Sequence, residues 1–382
     1  MTTATAPMAR SNTVLWIALA GLVVSAAFVL FSLATLGHAA FNTTSNGVQW
    51  GLPIVVYDFF LLTSTGLATI AALALLFDAA DFAAIAKRCL WLAICGLVGG
   101  VTALFLELGY PLRSLWAIPL NLQTDSPLFW KVLFIVLYVV TLLMMVGRVS
   151  RPGWSGRSTR GLALVLLFAA VGVTMIAGSV FGMMAMRPFW FGGGIPIAFL
   201  IESALGGLAF ALFFTYMAYG FRQDRLPSAV RELFTGRMPM VFASVIVLHV
   251  LFVGARVVAG LWSNADGLQV WHHVVSSPLF QFEIWLGLAA PLVLMLSPGL
   301  RTKGGVQIVA AALVMLALFI ARYSFIIGGQ LVPMFKGTWV HGLVQYRPSL
   351  AEWALLLLAI FVANVVNAVG EKRYDLSQGP AT

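Results

Sequence analysis

Seven ionisable side chains interrupt long apolar stretches of this sequence, where a charge has no ordinary structural use. They are Asp58, Glu107, Glu202, Arg256, Glu283, Arg322 and Glu352. A charge at the centre of a bilayer costs about 3 kcal/mol on insertion scales, so such residues usually face the interior of a helix bundle and pair with one another. Five acids against two arginines leave carboxylates to spare, which suits proton exchange. Arg322 is expected to reach a carboxylate of another helix.

The stretches that hold these residues have the length and composition of membrane-spanning helices. The chain has 382 residues, 61% of them hydrophobic and 9% charged, whereas about a quarter of the residues of a soluble domain are charged. Because a helix needs about 20 apolar residues to cross a bilayer, we predict an all-α integral membrane fold with about ten transmembrane helices. The predicted spans are Thr13–Leu36, Pro53–Phe77, Cys89–Gly109, Leu128–Val146, Gly161–Met184, Ile195–Tyr219, Pro239–Trp262, Leu279–Ser297, Val306–Gly328 and Leu350–Val369.

Few residue types that bind cofactors lie within the spans. The first apolar run is longer than the 7–15 residues of a secretory signal, so we expect an uncleaved first helix. Cys89 and Cys95 share one predicted helix at a spacing that fits no metal motif. His249 alone lies near mid-membrane, where a b-type haem needs two histidines, so we expect no haem and no metal. His249 is either a proton relay or a hydrogen-bonding group between helices.

Basic residues are unevenly distributed between the two sets of predicted loops. One set, together with both termini, holds 15 of the 22 lysines and arginines. Because cytoplasmic loops carry the excess of positive charge, we expect both termini in the cytoplasm and the chain in a bacterial inner membrane. The net charge of +9 then faces anionic lipid and requires no nucleic acid. In this orientation the seven ionisable residues all lie in the outer halves of their spans, and the inner halves hold none.

A repeated tetrapeptide indicates internal duplication. SPLF occurs at Ser126 and again at Ser277, 151 positions later, and aligning the copies pairs the fourth span with the eighth. GLPIVVYDFF and GIPIAFLIES then open the second and sixth spans. We predict two tandem four-helix bundles, helices 2–5 (residues 53–186) and 6–9 (187–330). Residues 1–52 hold the first helix and an outer loop, and residues 331–382 hold an outer loop, the last helix and a cytoplasmic tail. Chance resemblance between apolar helices is the alternative.

Several of these stretches together resemble a known family. WGLPIVVYDFFLLTSTG from Trp50, LELGYPLRSLW from Glu107, IAFLIES before Ala204 and YRPSLAEW from Tyr346 are similar to segments of the NrfD/polysulfide reductase membrane subunits. The ten-span form is similar to the membrane subunits of a periplasmic [NiFe] hydrogenase and of alternative complex III. The resemblance implies a quinone-reactive subunit, not catalytic on its own, that uses menaquinone or ubiquinone. It also implies an extracytoplasmic four-cluster iron–sulfur subunit and a catalytic subunit as partners.

The resemblance gives the buried residues provisional roles. Asp58 and Glu107 are expected to exchange protons with quinone, because quinol oxidation releases two protons that a nearby carboxylate must accept. Tyr57, His38 and Arg113 are expected to join them in binding the quinone. The expected proton path comprises Glu202, His249, Arg256, Glu283, Arg322 and Glu352.

One departure from the family pattern leaves the quinone-binding bundle open. Many relatives have an acid just after the first SPLF-like stretch, where this chain has Trp130 and Lys131, while its second unit has Glu283 nearby. Two other functions also remain open on sequence grounds. A proton-coupled secondary transporter would suit duplicated bundles with buried charges, but its site should lie near the midplane between broken helices. A purely structural anchor would use the charges only to pair helices.

Overall fold

The computed structural model describes residues 12–43, 47–121, 123–151, 156–264, 267–333 and 342–376, and in these ranges it is helical without β-strands. Ten helices there are long and apolar enough to cross a membrane, which confirms the predicted all-α membrane fold. They are Asn12–Leu36, Leu52–Leu76, Ala80–Glu107, Pro127–Val149, Arg157–Gly182, Gly194–Ala218, Arg237–Trp262, Pro278–Leu296, Gly304–Gly328 and Leu350–Arg373. We number them in chain order as membrane helices. The end of the bundle at which even-numbered helices begin is called the outer end.

The predicted regions at both chain ends extend beyond this description. Residues 1–11, the end of the predicted cytoplasmic tail (377–382) and the segment 334–341 of the last outer loop lie outside the described residues. The side of the membrane that each end of the bundle faces stays a prediction, since it comes from the distribution of basic residues alone.

The second and sixth membrane helices form the centre of the molecule. In their most apolar stretches 78% and 72% of the residues are buried, against 17% in the first helix, which packs on the tenth at the edge. The central pair can approach closely because Gly66 and Gly207 face each other. A Cβ atom on Gly66 would overlap the carbonyl oxygen of Ser203, so only glycine allows this crossing. The crossing holds the outer halves of both helices side by side.

Hydroxyl groups join the same crossing to the fifth helix. Thr174 donates a hydrogen bond to Thr65 at 2.8 Å, and Thr65 lies 3.0 Å from the Ser203 hydroxyl. All three side chains are buried. Such bonds are worth about 0.6 kcal/mol each inside membrane bundles, so they position the helices more than they stabilise them.

The third and tenth helices are longer at the inner end than the sequence analysis predicted. The third begins at Ala80 rather than Cys89, and the tenth continues to Arg373 rather than Val369. The extensions contain a buried ion pair, Arg88 with Glu371. The prediction that the inner halves hold no buried charge was therefore wrong. Spans were defined by apolar runs, so the third was predicted to start just after Arg88 and the tenth to end two residues before Glu371.

Three short helices lie where the sequence analysis placed only loops. They are Pro111–Asn121, Ser228–Thr235 and Val270–Ser276. Short amphipathic helices at the membrane surface lack the long apolar run by which spans were recognised. The first and third of them lie at the outer end, so the outer surface is more structured than predicted.

The eighth membrane helix is not a regular α-helix. Its stretch Phe282–Ala289 is π-helical, between α-helical turns Pro278–Gln281 and Ala290–Leu296. Pro291 lacks a backbone N–H and would collide with the carbonyl of Gly287 in a regular helix, and a π turn widens the backbone at that point. π-Helical turns occur often at functional sites. Glu283, one of the seven ionisable residues, lies in this turn.

The proposed division into two four-helix bundles stays a prediction. The second and sixth helices, which belong to different predicted units, pack against each other more extensively than most neighbours within a unit. Whatever its origin, the described chain therefore forms one helix bundle around a shared centre.

Candidate functional site

Arg322 joins two carboxylates of the central helices. Its Nη1 donates a hydrogen bond to Asp58 Oδ2 at 3.1 Å, and its Nη2 forms an ion pair with Glu202. The three side chains are at most 9% exposed. This arrangement confirms the expectation that Arg322 reaches a carboxylate of another helix. A buried charge of this kind persists only when it is paired, so the second, sixth and ninth helices are tied together here.

Aromatic rings complete the surroundings of the guanidinium. The Arg322 Cζ atom lies 4.1 Å from the ring centre of Phe199 and 5.0 Å from that of Phe325. Cation–π contacts of a desolvated guanidinium contribute about 2 kcal/mol. Both rings are buried and shield the guanidinium from the surface of the bundle.

A second set of ionisable residues continues the cluster from Glu202. Arg256 donates a hydrogen bond to the Phe189 carbonyl at 2.9 Å, and the charges of Arg256 and Glu202 both act on Glu283. Glu283 is 3% exposed, in the π-helical turn of the eighth helix. The structure thus places Glu202, Arg256 and Glu283 of the predicted proton path in one neighbourhood.

His249 lies beside this cluster with unused hydrogen-bonding capacity. It is 1% exposed, and the charges of Glu202, Arg322 and Arg256 act on it. Neither ring nitrogen has a hydrogen-bond partner among the described residues. The interpretation of His249 as a hydrogen-bonding group between helices therefore finds no partner among the described residues, and the role of His249 in a proton path stays a prediction.

Lys131 is a site residue to which the sequence analysis gave no role. It appeared there only as a departure from the family pattern, yet its Nζ lies 5.0 Å from the centre of the Tyr57 ring and its charge acts on Asp58. Lys131 lies about one helical turn deeper than Leu128 on the fourth helix. The signal in the sequence was a lysine one turn inside an apolar helix, at about the same predicted depth as Asp58.

A cavity of about 570 Å³ opens at the outer end above Lys131. Its walls include Leu128, Arg187 and Gln330, and the indoles of Trp50 and Trp190, which stack with their centres 5.5 Å apart. Burial lowers the pKa of the Arg187 guanidinium. Ligand sites in proteins commonly have about 300–1,000 Å³ and combine apolar walls with a few polar groups. We call this space the first cavity.

Glu352 lies at the outer end of the tenth helix, fully buried, and holds several backbone segments together. It accepts hydrogen bonds from the backbone of Asn42, Leu52 and Ser349 at 2.7–3.3 Å, and from the hydroxyl of Tyr346. With Ser349 it forms a capping box for the tenth helix. All of these contacts serve the structure, and its role in a proton path stays a prediction.

Glu107 is the last residue of the third helix and lies near Glu352. The charge of Glu352 acts on Glu107, and Glu107 Oε2 is buried without a hydrogen-bond partner among the described residues. A carboxylate with a free oxygen beside another acid is an arrangement suited to reversible proton binding. Glu107 therefore belongs to a second acidic pair near the outer surface.

Two predicted quinone ligands lie outside these buried groups. His38 is exposed in the short helical turn Gly37–Ala40, where its ring centre lies 5.9 Å from that of Phe41. Arg113 is exposed on the short helix Pro111–Asn121. Tyr57 lies beside Lys131 and next to Asp58 in the chain. The quinone-binding roles of His38, Arg113 and Tyr57 all stay predictions.

The described residues contain no group of three or more histidine, cysteine or acidic side chains that could hold a metal ion. Cys89 and Cys95 are buried as free thiols within the third helix.

Three curated proteins illustrate what the chain is similar to. One selenate reductase subunit, from Mesobacillus selenatarsenatis, is 25% identical over 354 residues, which cover 80% of this chain and 81% of the relative. The Hdr-like menaquinol oxidoreductase integral membrane subunit of Archaeoglobus fulgidus is 22% identical over 389 residues, 91% of this chain and 92% of the relative. Protein NrfD of Escherichia coli is 23% identical over 314 residues, 74% of this chain and 95% of the relative.

A family model gives a more direct assignment. Residues 40–334 match the model described as polysulphide reductase, NrfD. The match includes the helices that hold Asp58, Glu202 and Arg322, and both SPLF segments. The chain therefore belongs to the polysulphide reductase NrfD family.

Proposed function

We propose that the chain is the quinone-reactive membrane subunit of a respiratory oxidoreductase complex. One observation carries the proposal: the first cavity lies at the outer end, and the helix that supplies its Leu128 wall also holds Lys131, whose charge acts on Asp58 in the buried group of Asp58, Arg322 and Glu202. Two relatives support it by name, since one is a menaquinol oxidoreductase subunit and another a selenate reductase subunit.

The first cavity suits a quinone head group. The stacked indoles and Leu128 supply apolar surfaces for a ring, while the Arg187 guanidinium supplies hydrogen-bond donors. Lys131 lies one helical turn deeper than Leu128, beside Tyr57. When bound, a quinol supplies two electrons and two protons on oxidation. The side chains below the cavity then have to accept the protons, and a partner at the outer end has to accept the electrons.

Asp58 is the group we assign to the first proton transfer. It lies six residues after Leu52, where the second helix begins, about 9 Å along the axis, and one residue after Tyr57. Arg322 holds the Asp58 carboxylate in a fixed orientation and connects it to Glu202. His249, Arg256 and Glu283 extend the polar groups beyond Glu202, and Glu107 forms a separate acid near the surface. A general acid or base of this kind contributes about 10²–10⁴-fold to a rate.

The partners and the location follow as parts of the same proposal. An extracytoplasmic iron–sulfur subunit docks at the outer end and passes electrons between the quinone and a catalytic subunit. Both chain termini lie in the cytoplasm of a bacterial cell, with the chain in the inner membrane. The quinone is menaquinone or ubiquinone, and the groups from Asp58 to His249 offer a route by which protons enter the bundle.

The secondary-transporter alternative finds little support in the helix geometry. Transporter sites form between broken helices near the midplane, but Asp58, Glu202 and Arg322 lie on continuous α-helices. Asp58 is six residues from the outer end of its helix and Arg322 six residues from the outer end of its own, about 9 Å deep. The site is thus displaced toward one membrane surface.

The decisive experiment compares Asp58→Asn with Asp78→Asn in the assembled complex. Asparagine keeps the size of Asp58 and still accepts a hydrogen bond from Arg322, but it cannot take a proton. We expect quinol turnover to fall about 100-fold or more, with the complex intact. Asp78 provides a matched control because it is exposed, lies at the inner end and has a positive φ that asparagine tolerates.

Each other outcome selects a different function. Full turnover in Asp58→Asn would identify the buried pair as structural and favour an anchor. A chain that purifies without iron–sulfur protein and without quinone would favour the transporter.

A further inference from the structure

A second cavity of about 610 Å³ opens at the outer end, between the eighth and ninth membrane helices. Ser277 and Leu279 at the start of the eighth helix form one wall, and Tyr323 and Ile327 near the end of the ninth form another. Leu331 and residues 343–347 line the remaining side, where the backbone N–H of Val344 donates a hydrogen bond to the Leu331 carbonyl at 2.7 Å.

The two cavities occupy equivalent positions in the two predicted units. The first is bordered by Ser126 and Leu128 at the start of the fourth helix, and the second by Ser277 and Leu279 at the start of the eighth. Each of these pairs is separated by the same 151 positions that separate the SPLF copies. In both cases the opposite wall comes from the end of the next membrane helix and the segment after it. Similar size and equivalent walls indicate similar occupants.

The second cavity also has the chemistry of a site for a polar ring. The rings of Tyr323 and Tyr346 lie 6.4 Å apart on one side, and His273 and Arg347 add polar groups that can donate hydrogen bonds. Leu279, which is 44% exposed, lies at the border with lipid. A ligand with a long apolar tail can therefore keep the tail in the membrane while its head group enters.

A buried carboxylate lies deeper than this cavity on the eighth helix. Glu283 comes one turn after Leu279, where the equivalent position of the first unit is the apolar Val132. In the first unit the ionisable group one turn deeper is Lys131 instead. Each cavity thus has an ionisable group about one turn deeper than the leucine of its SPLF segment. The charge of Lys131 acts on Asp58, and the charges of Glu202 and Arg322 act on Glu283.

We propose that the second cavity binds a second isoprenoid quinone head group, so that the chain holds one quinone in each unit. The proposal rests on the function proposed above and adds a site in the second unit, with Glu283 below it as the proton-exchanging group. A phospholipid in the second cavity is the competing occupant.

The matched variants Leu128→Trp and Leu279→Trp test it. The two leucines are equivalent in position and are 54% and 44% exposed, so a tryptophan can narrow either cavity without overfilling the core. The assembled complex is saturated with a radiolabelled short-chain azido-quinone, and the label bound per chain is counted before and after photolysis. Leu296→Trp, at the exposed inner end of the eighth helix, serves as the control.

We expect two labels per chain in the unmodified complex and in Leu296→Trp. Each cavity variant should keep one, and photolysis of Leu128→Trp should label peptides that contain Tyr323 or Leu279. If the unmodified complex binds one label per chain and Leu279→Trp still binds it, the second site is overturned while the proposed function stands. Loss of a phospholipid from Leu279→Trp, seen by native mass spectrometry with no change in quinone, also overturns it. No label in any complex would overturn the proposed function itself.

Discussion

Arg322 and Asp58 form a buried ion pair across 264 positions of the chain, with 3.1 Å between Nη1 and Oδ2. The second nitrogen of the same guanidinium pairs with Glu202. One cation therefore pairs with carboxylates from two helices that touch at Gly66 and Gly207. The pairing has both a structural and a chemical consequence, and the two can be separated by mutation.

Replacing Arg322 should destabilise the protein more than removing the whole charged group. Arg322→Leu leaves Asp58 and Glu202 buried without their cation, which costs about 3–5 kcal/mol. The triple variant Arg322→Leu, Asp58→Asn, Glu202→Gln removes the uncompensated charges and should recover most of that loss. Thermal unfolding of the purified complex in detergent measures both. Equal loss in the single and triple variants would show that packing of Arg322 on Phe199, rather than charge pairing, dominates.

Lys131→Met should weaken quinol binding. The Lys131 ammonium lies 5.0 Å from the centre of the Tyr57 ring, one helical turn deeper than the Leu128 wall of the first cavity. A hydrogen bond from a charged group contributes about 1.5–3 kcal/mol, so KM for quinol should rise about tenfold or more. The exposed Lys303 at the inner end allows the matched change Lys303→Met, which should leave KM unaltered. Steady-state kinetics with a soluble quinol distinguishes them. A fall in kcat at constant KM would instead assign Lys131 to proton transfer.

Gly66→Ala should disturb the central helix crossing. The added methyl group would overlap the Ser203 carbonyl, and overpacking of this kind costs about 1–3 kcal/mol. Gly254 on the seventh helix has nothing within 4 Å of an added Cβ, so Gly254→Ala should be neutral. The temperature at which half of the complex dissociates in detergent reports the difference. Identical behaviour of the two variants would mean that the central helices can separate without loss of stability.

Alkaline pH should reduce the contribution of the Tyr346–Glu352 hydrogen bond to the free energy of unfolding. Burial, followed by the hydrogen bond to Glu352, raises the pKa of Tyr346 above the ordinary value of 10.0. The unfolded chain therefore loses this proton at lower pH than the folded chain does. The stabilising contribution is complete below about pH 10 and declines as pH rises toward the folded value. Tyr346→Phe lacks this contribution, so the gap in unfolding temperature between the two proteins should shrink above pH 10. A constant gap from pH 8 to pH 11 would contradict the assignment.

The membrane fold and the residues of the buried cluster could be predicted from sequence, because charges within apolar runs stand out in any single chain. The pairing of Arg322 with two carboxylates was predictable only in part, since hydropathy does not say which helix faces which. Lys131 was noticed without a role, because its partner Tyr57 is 74 positions away and only packing joins them. Arg88 and Glu371 were missed because they lie just beyond the apolar stretches that defined the spans. The cavities depend on loop conformation, which composition does not specify.

Glu352 and Glu371 fasten the tenth helix at its two ends, one to the outer loops and one to Arg88 of the third helix. They are nineteen residues apart, about 28 Å along the axis at 1.5 Å per residue, close to the thickness of the hydrocarbon layer. The length of the tenth helix that spans the bilayer is therefore fixed. In a thinner or thicker membrane this helix cannot shift along its axis, so the lipid has to deform around it, and the stability of the subunit in the membrane depends on bilayer thickness.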